Sequence, residues 1–304
     1  MTRFLRPHPP LMLFSLLMVA LIPVSLAGLI IDDRIVAGSP IWFKPFKFAV
    51  SFALYGVTLA WMLTLTTRLR RTGWWAGTAL AVASAAEMVI VVGQVVRGRQ
   101  SHFNVATPFD QALWRAMAIT VVVIWATHAL IAVALLFTRF TDAAMGLAIR
   151  LGTLLTLVGL ALGFLMTSPA PGQDDDGDIV GAHSVGVPDG GPQLAVTGWS
   201  TTGGDLRIPH FVGIHALQIL PLAALLLRGR ATRKTVWGLA IGYAGLLALL
   251  TWQALRGQPL LRPDLLTALG ALTVAAWTAT VIARTPRKAD TTDTTGNPKE
   301  VVRA

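Results

Sequence analysis

The chain has 304 residues, 54% of them hydrophobic and 13% charged, where a soluble domain of this length carries about a quarter charged residues. It has no cysteine, which excludes disulfides, thiolate metal ligands and cysteine nucleophiles. The net charge of +10 lies mainly at the ends of apolar runs, where basic residues signal membrane topology, so nucleic acid is set aside as a partner.

Arg3 and Arg6 precede the first apolar run, 11–31. That run exceeds the ~7–15-residue core of a secretory signal and is read as a first span. Seven more runs of span length follow, at 46–66, 74–96, 111–137, 143–168, 210–227, 236–256 and 264–284. Lipid-exposed backbone must satisfy its own hydrogen bonds, so these runs predict an all-α polytopic transmembrane bundle of about eight helices.

With residues 1–10 placed inside, the inner side holds 15 basic and four acidic residues, and the outer side nine basic and ten acidic. The positive-inside rule then puts both termini in the cytoplasm of a cell (inner) membrane. The long connection 169–209, rich in Gly, Pro, Asp and Thr, lies outside. Its run Asp174, Asp175, Asp176 and Asp178 lacks the glycine and glutamate placement of a calcium loop and reads as solvated. The polar tail 285–304 is expected to be disordered and cytoplasmic.

Short motifs recur in order. Gln94-Val-Val-Arg97-Gly98 closes the third run, and Gln253-Ala-Leu-Arg256-Gly257 closes the seventh. Lys47-Phe48 with Ala53-Leu54-Tyr55 in the second run matches His210-Phe211 with Ala216-Leu217-Gln218 in the sixth. Asp110 precedes the fourth run and Asp264 opens the eighth. These matches predict two four-helix halves, 11–142 and 143–284, in parallel tandem duplication.

Polar groups inside a bilayer are costly and invite a functional reading. Glu87 is the only acid deep within a span, and Ser84, Glu87, Val91, Gln94 and Gly98 form one helical stripe toward the outer end. One reading of Glu87 is a protonated carboxyl bonded between helices; the other is a proton relay, metal ligand or general base. Arg97, Ser101, His102, Asn104 and Asp110 crowd the loop above it. Asp205, Arg207, His210, His215 and Gln218 do the same before and within the sixth run, and Lys44, Lys47, Gln253 and Arg256 complete an outer polar ring. Arg97, Arg207 and Arg256 are expected to orient an anionic group. His102, His210 and His215 read either as ligands for a divalent metal or as a hydrogen-bonded network closing the bundle. His128 reads as a packed, hydrogen-bonded histidine.

The eight-span, two-half layout resembles that of haem A synthase, a family that holds haem with paired histidines in both halves. Span eight has no histidine and span four only His128, so haem is the less expected cofactor. The inventory of Ser, Asp and three His is similar to that of the membrane hydrolases that include alkaline ceramidases. Four residues separate His210 from His215, where those hydrolases have three.

The expectation is a membrane enzyme, possible metal or cofactor included, with Glu87, His102 and His215 as catalytic groups at the extracytoplasmic end. Its substrate would be a small anionic or lipid molecule, covered by the 169–209 connection as a lid hinged at Gly203-Gly204. The alternatives are a proton-coupled transporter of a small anion or lipid, and a structural membrane partner without a ligand.

Overall fold

A computed structural model describes residues 7–168, 177–227 and 230–285. Asp174, Asp175, Asp176 and the tail after 285 lie outside the described residues. The helices are α1 (Pro9–Ile31), α2 (Phe43–Leu65), α3 (Arg70–Val96), α4 (Pro108–Leu136), α5 (Ala143–Leu162), α6 (Arg207–Ile214), α7 (Ala216–Leu226), α8 (Arg233–Leu255) and α9 (Leu265–Ala283). A 3-10 turn, Gly163–Thr167, continues α5.

The helix starts follow from local chemistry. Pro9 and Pro108 sit at first-turn positions, where a missing N–H costs nothing. The side chains of His8, Thr107, Asp142, Thr232 and Asp264 accept first-turn N–H groups. Among the described residues, seven helices are long and apolar enough to cross a bilayer, and α6 and α7 meet the same test only when taken together as one bent pair. The chain is a multi-pass α-helical membrane protein.

The sixth span is a correction to the sequence reading. It is not one helix over 210–227 but two, meeting at His215 with a 47° bend. Pro221 has no N–H to offer the carbonyl of Leu217, which weakens the helix beyond the break. Other residues satisfy the opened backbone. Thr156 Oγ1 donates to the Ile214 carbonyl at 3.2 Å and accepts from Leu217 N–H at 3.0 Å. Tyr243 donates to the Val212 carbonyl at 2.5 Å. Broken helices at membrane depth persist only where such partners exist. At the crossing of α5 and α6, Gly159 meets Gly213 backbone to backbone, leaving no room for a side chain on either.

Packing follows one scheme twice. α1 lies on α2 and α3, α2 on α3, and α3 on α4; α5 lies on α6–α7 and α8, α6–α7 on α8, and α8 on α9. The two sets meet where α4 packs on α5 and where Leu217 of α7 enters the core formed by α1–α4. Polar links cross this boundary. The Thr153 carbonyl can only accept, so His128 Nε2 carries the proton it donates at 3.1 Å, and His128 Nδ1 accepts from Tyr55 at 2.7 Å. Both ring nitrogens of His128 are therefore occupied, as the packed reading of this histidine requires. Gln218 Nε2 donates to Thr58 Oγ1 at 3.3 Å, joining α7 to α2. α9 touches the bundle along one edge, and Thr267 is its only buried residue.

One end of the bundle, termed the cap, gathers the connections 32–42, 97–107, 177–206 and 256–264. Two small hairpins stiffen it. Strand β1 (Ile35–Val36) pairs with β2 (Ser39–Pro40) through a turn in which Ala37 and Gly38 both have positive φ, and β3 (Ser184–Val185) pairs with β4 (Gly204–Asp205).

Candidate functional site

Glu87 sits on α3, buried, about two and a half helical turns from the cap end. Thr120 of α4 donates to its Oε2 at 2.7 Å. His102 Nε2 lies 3.5 Å from its Oε1, and Ser101 Oγ is 3.1 Å from the other ring nitrogen of His102. At this turn Phe103 adopts a positive φ of 64° and packs inward, next to the His102 that meets Glu87 of α3. Phe48 and Trp114 flank the His102 ring at 5.8 and 6.1 Å between centroids. Glu87 and His102 thus form a carboxyl–imidazole contact walled by aromatic rings.

The long connection supplies a second pair. His183 Nδ1 donates to Asp189 Oδ2 at 2.7 Å, and Asp189 also accepts the backbone N–H groups of His183 and Ser184. Burial pushes the Asp189 carboxyl up, but these donors outweigh it and hold it below the usual carboxylate range. Phe103 lies between the two histidines, edge-on to His102 at 5.9 Å and tilted against His183 at 5.1 Å between ring centroids. His183 and Asp189 had no mark in the sequence. Their contact depends on the turn between them, where Gly186 takes a positive φ, and Gly190 does the same just after Asp189. A histidine six residues before an aspartate in a Gly/Pro loop was the available signal.

His210, half-buried, lies in the first turn of α6. Its Nδ1 donates to the Gly159 carbonyl at 2.8 Å, so its Nε2 is the open position. His215 stands apart at the helix break against Phe211, and its Nε2 and the Gln218 Oε1 are buried without hydrogen-bond partners. Among the described residues, no three His, Cys, Asp or Glu side chains group as a metal ligand set. The set His102, His210 and His215 is not brought together: His102 turns to Glu87, His210 to Gly159, and His215 lies at the bend.

The three arginines expected to orient an anion each have an acid partner instead. Arg97 reaches Asp110 at 2.5 Å, Arg207 reaches Asp205 at 2.5 Å and Arg256 reaches Asp264 at 2.9 Å. Gln94 ties Asp110 further, donating to it at 2.9 Å, and Gln253 donates to the Pro259 carbonyl at 2.9 Å. These residues build the cap. α3 and α8 end in the same way, with Gly98 and Gly257 at φ +70° and +69° donating back to Val95 and Ala254. Asn104 also holds loop structure, donating to Gln100 O and accepting from Ala106 N–H.

The connection 177–206 covers the site and is bonded to it. Val105 N–H donates to Asp178 O, Val180 N–H to Phe103 O, and Lys47 to Thr197 O at 2.8 Å. Gly203-Gly204 is not the expected hinge. A side chain on Gly203 would meet Val185 O, and one on Gly204 would run into the end of α8, so the pair is a tight crossing.

Burial holds the imidazole of His183 below its ordinary value of 6.5, and that of His102 well below. A depressed histidine takes its proton in the unfolded chain before it does in the folded one. The stability these groups contribute is therefore full above about pH 6.5 and falls as pH drops through the gap below it. The thermal midpoint of the purified protein is expected to fall between about pH 7.5 and about pH 5.5. The double variant His102→Gln/His183→Gln should show a flatter dependence; an equal slope in both proteins would refute the assignment.

No family model, curated protein or solved structure matches this chain. The reading of its function rests on the chemistry just described.

Proposed function

We propose that this protein is a membrane enzyme whose acid–base centre, Glu87 with His102, works at the extracytoplasmic end of the bundle on a small anionic or lipid substrate. The carrying observation is the Glu87 carboxyl held between Thr120 and His102 inside the bundle. A carboxyl and an imidazole in contact, away from bulk water, can pass a proton to or from a bound molecule. His183, fixed by Asp189, adds a base on the covering loop. In this reading the cap faces outward in a cell membrane and both termini lie inside, as the excess of basic residues at the other end implies. The same reading takes the chain as two duplicated four-helix halves; the repeated packing scheme and the matching ends of α3 and α8 support it.

The test is metabolic. Membranes from cells producing the wild type are expected to lose a substrate, or gain a product, relative to membranes from cells producing Glu87→Gln at equal abundance. Loss of turnover should be on the order of a hundredfold or more, the usual scale for removing a general acid or base. Identical small-molecule and lipid profiles for the two proteins would count against the enzyme reading.

The bend at His215 favours a second reading. Discontinuous helices line the binding sites of many secondary transporters, so a proton-coupled carrier of the same substrate class stands next.

A further inference from the structure

We propose that Lys44 is the receptor for a phosphate group carrying at least one hydroxyl, the chemistry of inorganic phosphate or of a phosphomonoester. This deepens the functional reading above by naming the anion its site would take.

Lys44 lies in the first turn of α2, at the cap, with its side chain partly exposed and therefore reachable. Its ammonium has one close contact, the Phe48 ring at 5.9 Å. Among the described residues it has neither a hydrogen-bond acceptor nor an acid within ion-pair distance. The other cations near the site are engaged. Arg207 holds Asp205 and Gly198 O, Arg97 holds Asp110, and Lys47 holds Thr197 O. The same Phe48 ring meets His102 at 5.8 Å between centroids, so Lys44 and His102 share one aromatic wall. An ammonium brought among these groups without an acceptor of its own has three unused donors.

The histidines narrow the class. His183 and His210 each donate from Nδ1 to a fixed acceptor, so Nε2 of each neutral ring is an acceptor, and neither has a partner among the described residues. The Phe103 ring lies against both His102 and His183. A site with an unpaired lysine donor and imidazole acceptors suits an anion that both accepts and donates. A carboxylate or sulfate has no proton to give at neutral pH. A phosphate monoanion or dianion with a hydroxyl has oxygens for Lys44 and a P–OH for an imidazole.

The experiment uses the full chain in nanodiscs of zwitterionic lipid. Inorganic phosphate is titrated calorimetrically, and in a separate arm the nanodiscs carry phosphatidic acid, whose protection against thermal unfolding is measured. Saturable binding of inorganic phosphate would support a soluble source, and protection by phosphatidic acid alone a lipid headgroup. In either arm, Lys44→Met should weaken the response about tenfold or more, Lys44→Arg should retain most of it, and sulfate should bind about tenfold more weakly than phosphate. Circular dichroism and size-exclusion profiles matching the wild type would establish that Lys44→Met is folded; should it not fold, the Lys44→Gln variant and the sulfate comparison carry the test. No response to either phosphate source, a folded Lys44 variant that responds like the wild type, or sulfate equal to phosphate would overturn the inference. Glu87→Gln separates it from the enzyme reading. Phosphate binding through Lys44 with full turnover in Glu87→Gln would leave this inference standing and the acid–base role lost. Turnover lost in Glu87→Gln with phosphate affinity unchanged in the Lys44 variants would do the reverse.

Discussion

Gly159→Val is expected to cost about 3 kcal/mol or more of stability, read as a large fall in thermal midpoint in detergent. A Cβ on Gly159 would stand 2.5 Å from Gly213 Cα and from Ile214 N. Those are backbone atoms, so no rotamer change can relieve the clash. α5 and α6 would have to separate, and the bonds that Thr156 makes across the break would stretch with them. His210 would suffer too, because its anchor is the carbonyl of Gly159 itself. Gly93→Ala is the matched comparison. It lies in α3 with no atom within 4 Å of the added carbon, and should be neutral or gain up to about 1 kcal/mol from helix propensity. Equal midpoints for the two variants would show that the α5–α6 approach is not as close as described.

Asp205→Ala should be nearly as damaging, at about 3–5 kcal/mol. The Asp205 side chain has no exposed surface. One oxygen accepts from Ser200 N–H at 2.8 Å and from the Arg207 guanidinium; the other accepts from Arg207 Nε at 2.9 Å and Arg207 N–H at 3.0 Å. Removing the carboxylate strands a guanidinium that is three-quarters buried, together with two backbone donors. The expected outcome is faster hydrogen exchange through 183–206, where β3 and β4 pair, along with the lower midpoint. Asp33→Ala, at an exposed position beside α1, should stay within about 0.5 kcal/mol of the wild type. Exchange in 183–206 unchanged by Asp205→Ala would mean that the carboxylate does not organise the cap.

The spans were legible in the sequence because hydropathy and length are local properties. Seven of the eight expected runs appear as helices within a few residues of their read boundaries. The eighth was legible as a span but not as a broken one. Pro221 gave a hint of weakness, but the bend depends on Thr156 and Tyr243, which arrive from α5 and α8. Glu87 was legible as an isolated intramembrane acid, and the rise of its stripe toward the 97–107 loop placed it near His102. The arginines misled because a cation at a helix end looks the same whether it faces a ligand or an aspartate. Asp110 and Asp264 were both noted in the sequence, yet only the tertiary arrangement showed them closing on Arg97 and Arg256. His183 offered only its spacing to Asp189, since a loop carries no periodicity from which a facing direction can be read.

The Tyr55–His128–Thr153 chain bears on motion. It joins α2, α4 and α5 at a buried level, and Trp125 Nε1 adds a bond to the Leu157 carbonyl higher on the same boundary. A rocking of the first four helices against the rest would shear these bonds in a medium with no water to replace them. Parting α4 from α5 would leave the rings of His128 and Trp125 without their acceptors in that dry interior, so these two bonds act as a latch between the helices.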